Sequence, residues 1–374
     1  MLISAHLMNK VVHITSAHTR DDIRIFKKEC ISLSKSGIKV YLIVNDCLGN
    51  ENVNNVSIID AGRPISGRLD RFLNLSKYIY RAAIDLDADI YHFHDSDLIP
   101  VGLRLLKKNK KVVYDVHEDL PRQILTKEYI PSFFRKPVSL LLEFYENYAS
   151  KQFDLILAAT PHITERFRKL NKNTVNINNY PIHGELLFKK NHNIIKGNAV
   201  CYIGGISRIR GVKYLINALE HCNVNLYLAG RFSDKKFEQE LRSLKNWKKV
   251  IYLGQIGREK VSEILSLSSA GLVTFLPAPN HNNAQPNKMF EYMSAGLPVI
   301  CSNFNLWEKI ITENKCGICV NPVDSYEISS AINKIIEDKS LVAEFGENGI
   351  ESIKNKYNWN NEEKKLIKAY QKIK

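Results

Sequence analysis

The sequence predicts an α/β protein made of two Rossmann-like units in tandem, each a parallel sheet wrapped by helices. Two observations carry that expectation. Short apolar runs of strand type alternate with helix-period segments along the whole chain, the pattern of parallel sheets with crossover helices. The 374 residues also exceed the ~100–200 of a usual single domain, so two units are expected. A composition of 44% hydrophobic and 25% charged residues is that of an ordinary globular chain.

In the first unit, Val11–Thr15 reads as a strand, followed by a loop and a helix over Ile23–Ser36 that Gly37 ends. Lys39–Val44 and Val56–Ile59 are strands, and Leu69–Leu86 is a long amphipathic helix. Ile90–Phe93 is a strand ending at His94-Asp95-Ser96-Asp97, and Pro100–Asn109 a helix. Lys111–Asp115 is a strand ending at His117-Glu118-Asp119; Ser139–Gln152, Leu155–Ala159, Pro161–Lys169 and Val175–Ile177 continue the alternation. Lys189–Asn198 is polar and reads as the linker. In the second unit, Ala199–Tyr202 is a strand and Gly204–Gly211 a loop bearing Gly and Arg before a helix at Val212–Leu219. Strands Asn225–Ala229, Val250–Leu253 and Ala270–Phe275 alternate with helices Lys235–Leu244 and Arg258–Ser268. Pro286 and Asn287 then open a helix that Ala295-Gly296 ends, and Val299-Ile300-Cys301 is a buried strand. Cys319–Val320 closes the sheet, with helices over Ser325–Asp338, Leu341–Asn355 and Trp359–Lys374. In open parallel sheets ligands bind beyond the carboxyl ends of the strands, so function is expected in the loops there.

The formal charge of +14 favours anionic partners: a diphosphate, an anionic lipid surface or nucleic acid. The excess is spread over both halves without a long basic block, which argues against a nucleic-acid tail. No run reaches the ~18 apolar residues of a spanning helix. The opening MLISAHLMNK lacks the length and cleavage pattern of a signal peptide, and Met8 is an alternative start, so a cytoplasmic location is expected. Seven scattered cysteines suit reduced thiols, and Cys316 and Cys319 read as small residues flanking Gly317 rather than metal ligands.

The polar clusters lie at strand ends. The Pro/Asn loop Pro277–Pro286 runs into a helix N-terminus, a natural anion seat, with Lys288 in its first turn and Glu291 one turn on, placed to accept hydroxyl hydrogen bonds. An ordinary connection with a solvated Lys and Glu fits the spacing equally well. In Gly204-Gly205-Ile206-Ser207-Arg208-Ile209-Arg210-Gly211 the glycines allow a phosphate close to the backbone and the arginines can pair with it. The stretch is not GxGxxG and no downstream acid follows, which weighs against hydride transfer with a nicotinamide dinucleotide. His117 could act as acid or base, or be a structural histidine. Asp95 and Asp97 are expected to cap the helix near Pro100 rather than hold a metal–diphosphate. Phe133-Phe134-Arg135-Lys136-Pro137-Val138-Ser139-Leu140-Leu141-Leu142 fits both an interfacial segment on an anionic membrane and a buried helix with a basic cap.

Five ordered blocks, at His13–Cys30, Tyr91–Gly102, Val112–Glu118, Tyr202–Leu219 and Pro286–Ser302, give the chain a resemblance to GT-B glycosyltransferases of family 4, the group 1 type, over nearly its full length. The resemblance implies two Rossmann-like domains facing a central cleft: an acceptor-binding domain at 1–188, a nucleotide-sugar-binding domain at 189–356, and a C-terminal helix at 357–374 crossing back to the first. It implies sugar transfer from a nucleotide diphospho-sugar with retention of anomeric configuration, without a metal or cofactor. It gives Glu291 the ribose hydroxyls, Arg210 and Lys288 the diphosphate, and His117 a place near the donor sugar. Gly204, Gly205, Arg208, Asn283, Gln285, Pro286 and Asn287 complete the expected donor side. His18, Thr19, Arg20, His94, Asp95 and Glu118 form the expected acceptor side. Asn283 stands where the family has the first of two glutamates, and Gly205 where an arginine is frequent. A uridine donor, a lipid-diphosphate-linked saccharide acceptor, a peripheral contact with the inner membrane face and a role in bacterial surface polysaccharide assembly are the expectations that follow. A non-hydrolysing sugar-nucleotide epimerase of the same plan and a non-catalytic nucleotide-sugar-binding subunit are the alternatives.

Overall fold

The computed structural model describes residues 10–62, 70, 75–127, 129–186 and 198–373. The chain divides into two units, one running to Asn179 and taking in the final segment from Asn360, the other Tyr180–Trp359. The expected boundary near 188 therefore moves back. The Tyr180 ring packs edge-on against Phe290 at 4.8 Å and against Tyr357 at 5.3 Å, both in the core of the second unit. The expected linker Lys189–Asn198 and the expected helix start at Leu69 lie outside the described residues, save Asn198.

The first unit is built on β1 (Lys10–Ile14), β2 (Lys39–Val44), β3 (Glu51–Val53), β4 (Val56–Asp60), β5 (Ile90–Phe93), β6 (Lys111–Val116), β7 (Leu155–Ala158) and β8 (Thr174–Asn176). Their order is β3-β4-β2-β1-β5-β6-β7-β8, parallel except for the β3–β4 pair. Continuous Val/Ile/Leu runs form these strands because both faces are covered, as in β1, where Val11, Val12 and Ile14 are fully buried. Sequence reading missed β3, a hairpin arm whose turn residues Asn54 and Asn55 both take positive φ. The topological switch lies between β1 and β5, so the loops after them are neighbours.

The expected Ile23–Ser36 helix opens as a π-wound stretch, Ile23–Cys30, and only then continues as α-helix, Ile31–Lys35. Lys27 N–H donates to the Asp22 carbonyl five residues back. Asp22 caps the start, its carboxylate accepting from the N–H groups of Arg24 and Ile25 at 2.9 Å. In this winding Arg24, Lys28 and Glu29 are all buried. The helix expected from Ser139 starts earlier and spans Ser132–Ser150, with Pro137 accommodated near its beginning. The final helix, Trp359–Lys372, joins the first unit through Tyr370, whose hydroxyl lies 2.6 Å from His92 Nδ1, and through Glu362, which accepts from Asn178 N–H at 2.9 Å.

The second unit holds β9 (Ala199–Ile203), β10 (Asn225–Ala229), β11 (Val250–Gly254), β12 (Ala270–Val273), β13 (Val299–Ser302) and β14 (Gly317–Val320), all parallel in the order β11-β10-β9-β12-β13-β14. Its switch lies between β9 and β12. The helix Asn287–Ser294 is pinned there by Tyr292, whose ring lies over Gly271 of β12 and whose hydroxyl accepts from Ile203 N–H at 3.0 Å. Trp307 Nε1–H donates to the Ala284 carbonyl at 2.7 Å and fixes the loop leading into that helix.

A Cβ at Gly271 would lie 2.2 Å from the Tyr292 ring. Gly271→Ala is therefore expected to lower the stability of the second unit by ~1–3 kcal/mol, the usual range for overpacking, seen as a lower urea midpoint.

Candidate functional site

In the second unit the loop after β9 and the helix Asn287–Ser294 build a cationic seat. Gly204, at φ +132°, brings bare backbone under the Lys288 side chain; a Cβ there would sit 2.8 Å from Nζ. Gly211, at φ +73°, closes the loop against the residue just after β12, where a Cβ would fall 1.9 Å from the Thr274 carbonyl oxygen. Lys288 Nζ stands 3.7 Å from the centroid of the Tyr202 ring and 5.2 Å from that of Phe275. It is buried and has no hydrogen-bond partner among the described residues. Burial first, and Arg210 second, push its pKa well below the ordinary lysine value, and Glu291 opposes them in part. The Arg210 guanidinium lies 4.1 Å from the Phe275 ring centroid, so one aromatic ring carries both cations. No side chain caps the N-terminus of the helix, which begins at Asn287 after Pro286.

Glu291 lies one turn beyond Lys288 and is partnered: Arg258 donates to its Oε1 at 2.7 Å and to Glu185 Oε1 at 3.0 Å. The other expected donor residues are spread more widely. Gly205 is exposed, with its carbonyl accepting from the Tyr202 hydroxyl at 2.8 Å. Arg208 turns to Glu240 and lies 4.7 Å from the Phe237 ring, so it is not part of the Lys288–Arg210 group. Gln285 Oε1 is 3.4 Å from the Tyr180 hydroxyl, while Asn283 and Asn287 are exposed.

In the first unit, β5, β6 and the π-wound stretch bring together polar side chains that sequence reading took only singly. Asp115 is fully buried, and its Oδ2 faces Arg24 Nε at 2.9 Å, His117 Nε2 at 2.8 Å and His94 Nδ1 at 3.1 Å; Arg24 NH2 donates to Oδ1 at 2.7 Å. Burial alone would raise its pKa, but Arg24 and then His117 outweigh it and hold the carboxyl well below its usual range. An ionised Asp115 fixes the tautomers around it. His117 and His94 both donate to it, so His94 Nε2 accepts from His13 Nδ1–H at 2.9 Å. Burial drives the His94 pKa down to about 4 and holds His13 and His92 well below the ordinary value, so these imidazoles are neutral. Burial and then Asp115 push Glu29 well above its usual value, and Arg24 lies 3.1 Å away.

His18 lies beside this network, its ring centroid 5.3 Å from that of His117, with Nδ1 3.2 Å from Asp22 and Nε2 3.4 Å from Asp95. Burial opposes its charge, but these carboxylates outweigh burial and raise its pKa. Thr19 is exposed. Arg20 is engaged by Asp46, at 2.6 Å, and Glu51, at 2.8 Å, and Glu118 is exposed beside Gln123. The expected capping role of Asp95 is corrected: its side chain makes no cap bond. It accepts instead from Thr15 Oγ1 at 2.6 Å and Ser16 N–H at 2.8 Å, because the parallel β1–β5 pairing sets the two strand-end loops side by side. Asp97 takes the Ser16 hydroxyl in the same way, at 2.9 Å.

By ligand type, His13, Glu29, His92 and His94, and likewise His94, Asp115 and His117, are the groups among the described residues that could hold a metal ion. Arg24 lies 3.1 Å from Glu29 and binds Asp115, whereas His13 Nε2, His92 Nε2 and both Glu29 carboxylate oxygens are buried without a hydrogen-bond partner among the described residues. Their sequence signals were His13 and His92, read as strand interior, and His94, read singly at a strand end on the acceptor side, rather than as one cluster. Cys319 faces Cys301 across β13–β14, Sγ to Sγ 3.7 Å, while Cys316 is buried apart.

The family described as Glycosyl transferases group 1 matches residues 185–352, and the one described as Glycosyltransferase Family 4 matches residues 25–177. An uncharacterized glycosyltransferase of Methanocaldococcus jannaschii is 22% identical over 180 residues, which are 46% of this chain and 44% of that protein. The chain thus matches less than half of that relative. Among solved structures, sucrose-phosphate synthase from Thermosynechococcus elongatus has a TM-score of 0.80 at 17% identity, covering 98% of this chain and 99% of that one. Anabaena HepE in complex with UDP-glucose has a TM-score of 0.72 at 16% identity, covering 97% and 99%. WaaG, described as a glycosyltransferase involved in lipopolysaccharide biosynthesis, has a TM-score of 0.71 at 16% identity, covering 95% and 98%. At these identities the structural likeness speaks for the fold.

A buried ammonium without a partner is a standing penalty. Between its lowered pKa and the ~10.4 of an unfolded lysine, the unfolded chain binds more protons at Lys288, so its contribution makes stability rise with pH in that window. Below the window the full penalty persists. Lys288→Met is accordingly expected to raise the thermal midpoint at neutral pH, measured by calorimetry.

Proposed function

Because the chain belongs to the group 1, family 4 glycosyltransferases and has the GT-B fold, we propose that it moves a sugar from a nucleotide diphospho-sugar to a saccharide acceptor with retention of configuration and no metal. The observation that carries this reading is Lys288: a buried ammonium with no hydrogen-bond partner among the described residues, set over the bare backbone of Gly204 and beside Arg210. Such a group is completed by an anion, and the diphosphate of the donor supplies one. Glu291, held by Arg258, takes the ribose hydroxyls. As transfer proceeds, the bond from the anomeric carbon to the diphosphate oxygen breaks and charge gathers on the leaving group. Lys288, Arg210 and the N–H groups opening the Asn287–Ser294 helix neutralise it. The acceptor hydroxyl bonds to the same carbon on the face being vacated, and its proton passes to the departing phosphate oxygen. His117, which the family resemblance associates with the donor sugar, is fixed through Nε2 by Asp115 within the first unit. A uridine nucleotide is favoured by the likeness to HepE, whose structures contain UDP and UDP-glucose.

The acceptor reading rests on the helix Ser132–Ser150. Phe133, Leu140, Leu141, Phe144 and Tyr148 are between 57% and 73% exposed. At ~100° per residue they fall within about a third of the circumference. This exposure supports the interfacial reading of the segment over the buried-helix one. Its carboxylates Glu143 and Glu146 are paired with Arg122 and Arg166, leaving the exposed Lys136 at one edge of the apolar stripe and Lys151 at its C-terminal end. An apolar stripe edged by cations suits an anionic bilayer surface. Among the described residues no helix is long and apolar enough to cross a membrane. The proposal is a cytoplasmic enzyme, peripheral at the inner face, using a lipid-diphosphate-linked saccharide in surface polysaccharide assembly.

Lys288→Ala is expected to retain the fold and lose ~10²–10³ of turnover, the usual effect of removing one preorganised charge contact; near-normal turnover would overturn the assignment. A thermal-shift screen of nucleotide sugars identifies the donor, since ligand at a hundred times its Kd stabilises by ~2.7 kcal/mol. Product formed from nucleotide sugar alone would instead indicate an epimerase. In flotation with vesicles containing anionic phospholipid, the wild type is expected to float and a Phe133→Ser, Leu141→Ser, Phe144→Ser variant to remain in solution.

A further inference from the structure

The carboxylate that would read the ribose is not free to turn. Arg258, at the start of the helix Arg258–Leu267, donates from NH1 to Glu291 Oε1 at 2.7 Å and from Nε to Glu185 Oε1 at 3.0 Å. Three charged groups on three separate segments therefore form one chain, Glu185–Arg258–Glu291. It is enclosed: the Arg258, Glu185 and Glu291 side chains are 26%, 21% and 19% exposed, and Glu185 Oε2 is buried without a partner among the described residues. Burial acts against the guanidinium charge, but Glu291 and then Glu185 outweigh it, so Arg258 stays charged.

A carboxylate on a single-bonded stem turns freely unless its plane is fixed, and a planar guanidinium fixes it better than a lysine ammonium. Glu185 matters because it commits Arg258 Nε and so leaves NH1 one direction in which to point. With Oε1 of Glu291 taken from that side, Oε2 and the second lone pair of Oε1 remain as acceptors at a set spacing. Two adjacent hydroxyls present two donors at such a spacing, whereas one hydroxyl does not. Lys288 and Glu291, three residues apart on one helix, then place the cation for the diphosphate and the acceptor for the sugar on neighbouring parts of one face.

We propose that Arg258, braced by Glu185, is a positioning residue that orients Glu291 to distinguish a ribose diol from a deoxyribose. The proposal rests on the donor-site reading given above and adds to it the source of sugar selectivity. The residue touches neither the diphosphate nor the reacting carbon, so its effect falls on nucleotide binding rather than on the chemical step.

The experiment measures Kd by calorimetry for UDP, ADP and GDP and for the 2′-deoxy form of whichever binds, in wild type, Arg258→Lys and Glu185→Gln. Arg258→Lys keeps the charge but cannot span both carboxylates; Glu185→Gln keeps the shape and weakens the brace. The expected result is a wild type that prefers the ribonucleotide by about tenfold or more, the range of a hydrogen bond to a charged group. Arg258→Lys would lose most of that preference, with affinity for the deoxy form nearly unchanged, and Glu185→Gln would lose part of it. An equal loss for both nucleotides would mean that Arg258 only supports the fold, and unchanged affinity for both would mean that it does neither; each overturns the proposal. A wild type that binds nucleoside diphosphates without ribose preference overturns it too while leaving the diphosphate seat intact. A wild type that binds none of them overturns the donor-site reading itself.

Discussion

Close backbone approach at the switch point of the second sheet is the constraint on which the candidate site depends. Lys288 can be buried over Gly204 only because that residue has no side chain and takes a φ that other residues avoid. The helix bearing Lys288 and Glu291 reaches that position because Tyr292 lies flat on Gly271 and binds Ile203 N–H. A larger residue at either glycine would lift the helix or displace the ammonium. The aromatic rings of Tyr202 and Phe275 give the cations favourable faces but no counter-charge, so the seat stays electrostatically incomplete.

The two units bury charge in opposite ways. In the first, Asp115 is surrounded by Arg24, His94 and His117, His94 is bonded in turn to His13, and His92, packed against these rings, pairs separately with Tyr370. The bonds to Asp115 hold His94 and His117 each in one tautomer. In the second, Lys288 is left wanting a partner and Glu291 is given one in advance. The Asp115 carboxylate is met by groups of the protein itself, whereas Lys288 suits a place where a ligand does the completing.

Much of this was legible in the sequence. The alternation of strand and helix patterns predicted both parallel sheets, since strands covered on both faces must be continuous Val/Ile/Leu runs. Gly204, Arg210, Lys288 and Glu291 were picked out because loops at strand ends carry function. The histidine cluster was not legible as a cluster: His13 and His92 looked like strand interior, His94 was picked out only singly at a strand end, and only the β1–β5 register makes them neighbours. Asp95 was misread for a related reason. Local spacing favours a helix cap, while its real partners, Thr15 and Ser16, lie about eighty positions earlier in the chain. Arg208 and Arg20 show the converse limit, since an arginine in a promising loop is spent when a carboxylate of a neighbouring element lies within reach.

The tie between His92 and Tyr370 bears on how the polypeptide is made. The strands of the first unit are all synthesised by Asn176, yet Glu362 and Tyr370 emerge only after the whole of the second unit. At ~5–20 residues per second those ~180 intervening residues take about 10–40 s to translate. Throughout that interval His92 Nδ1 and the Asn178 N–H group lack their native partners, beside a core already dense in buried histidine. The nascent first unit is thus a protein with a polar seam that stays unfinished until the second unit has been translated.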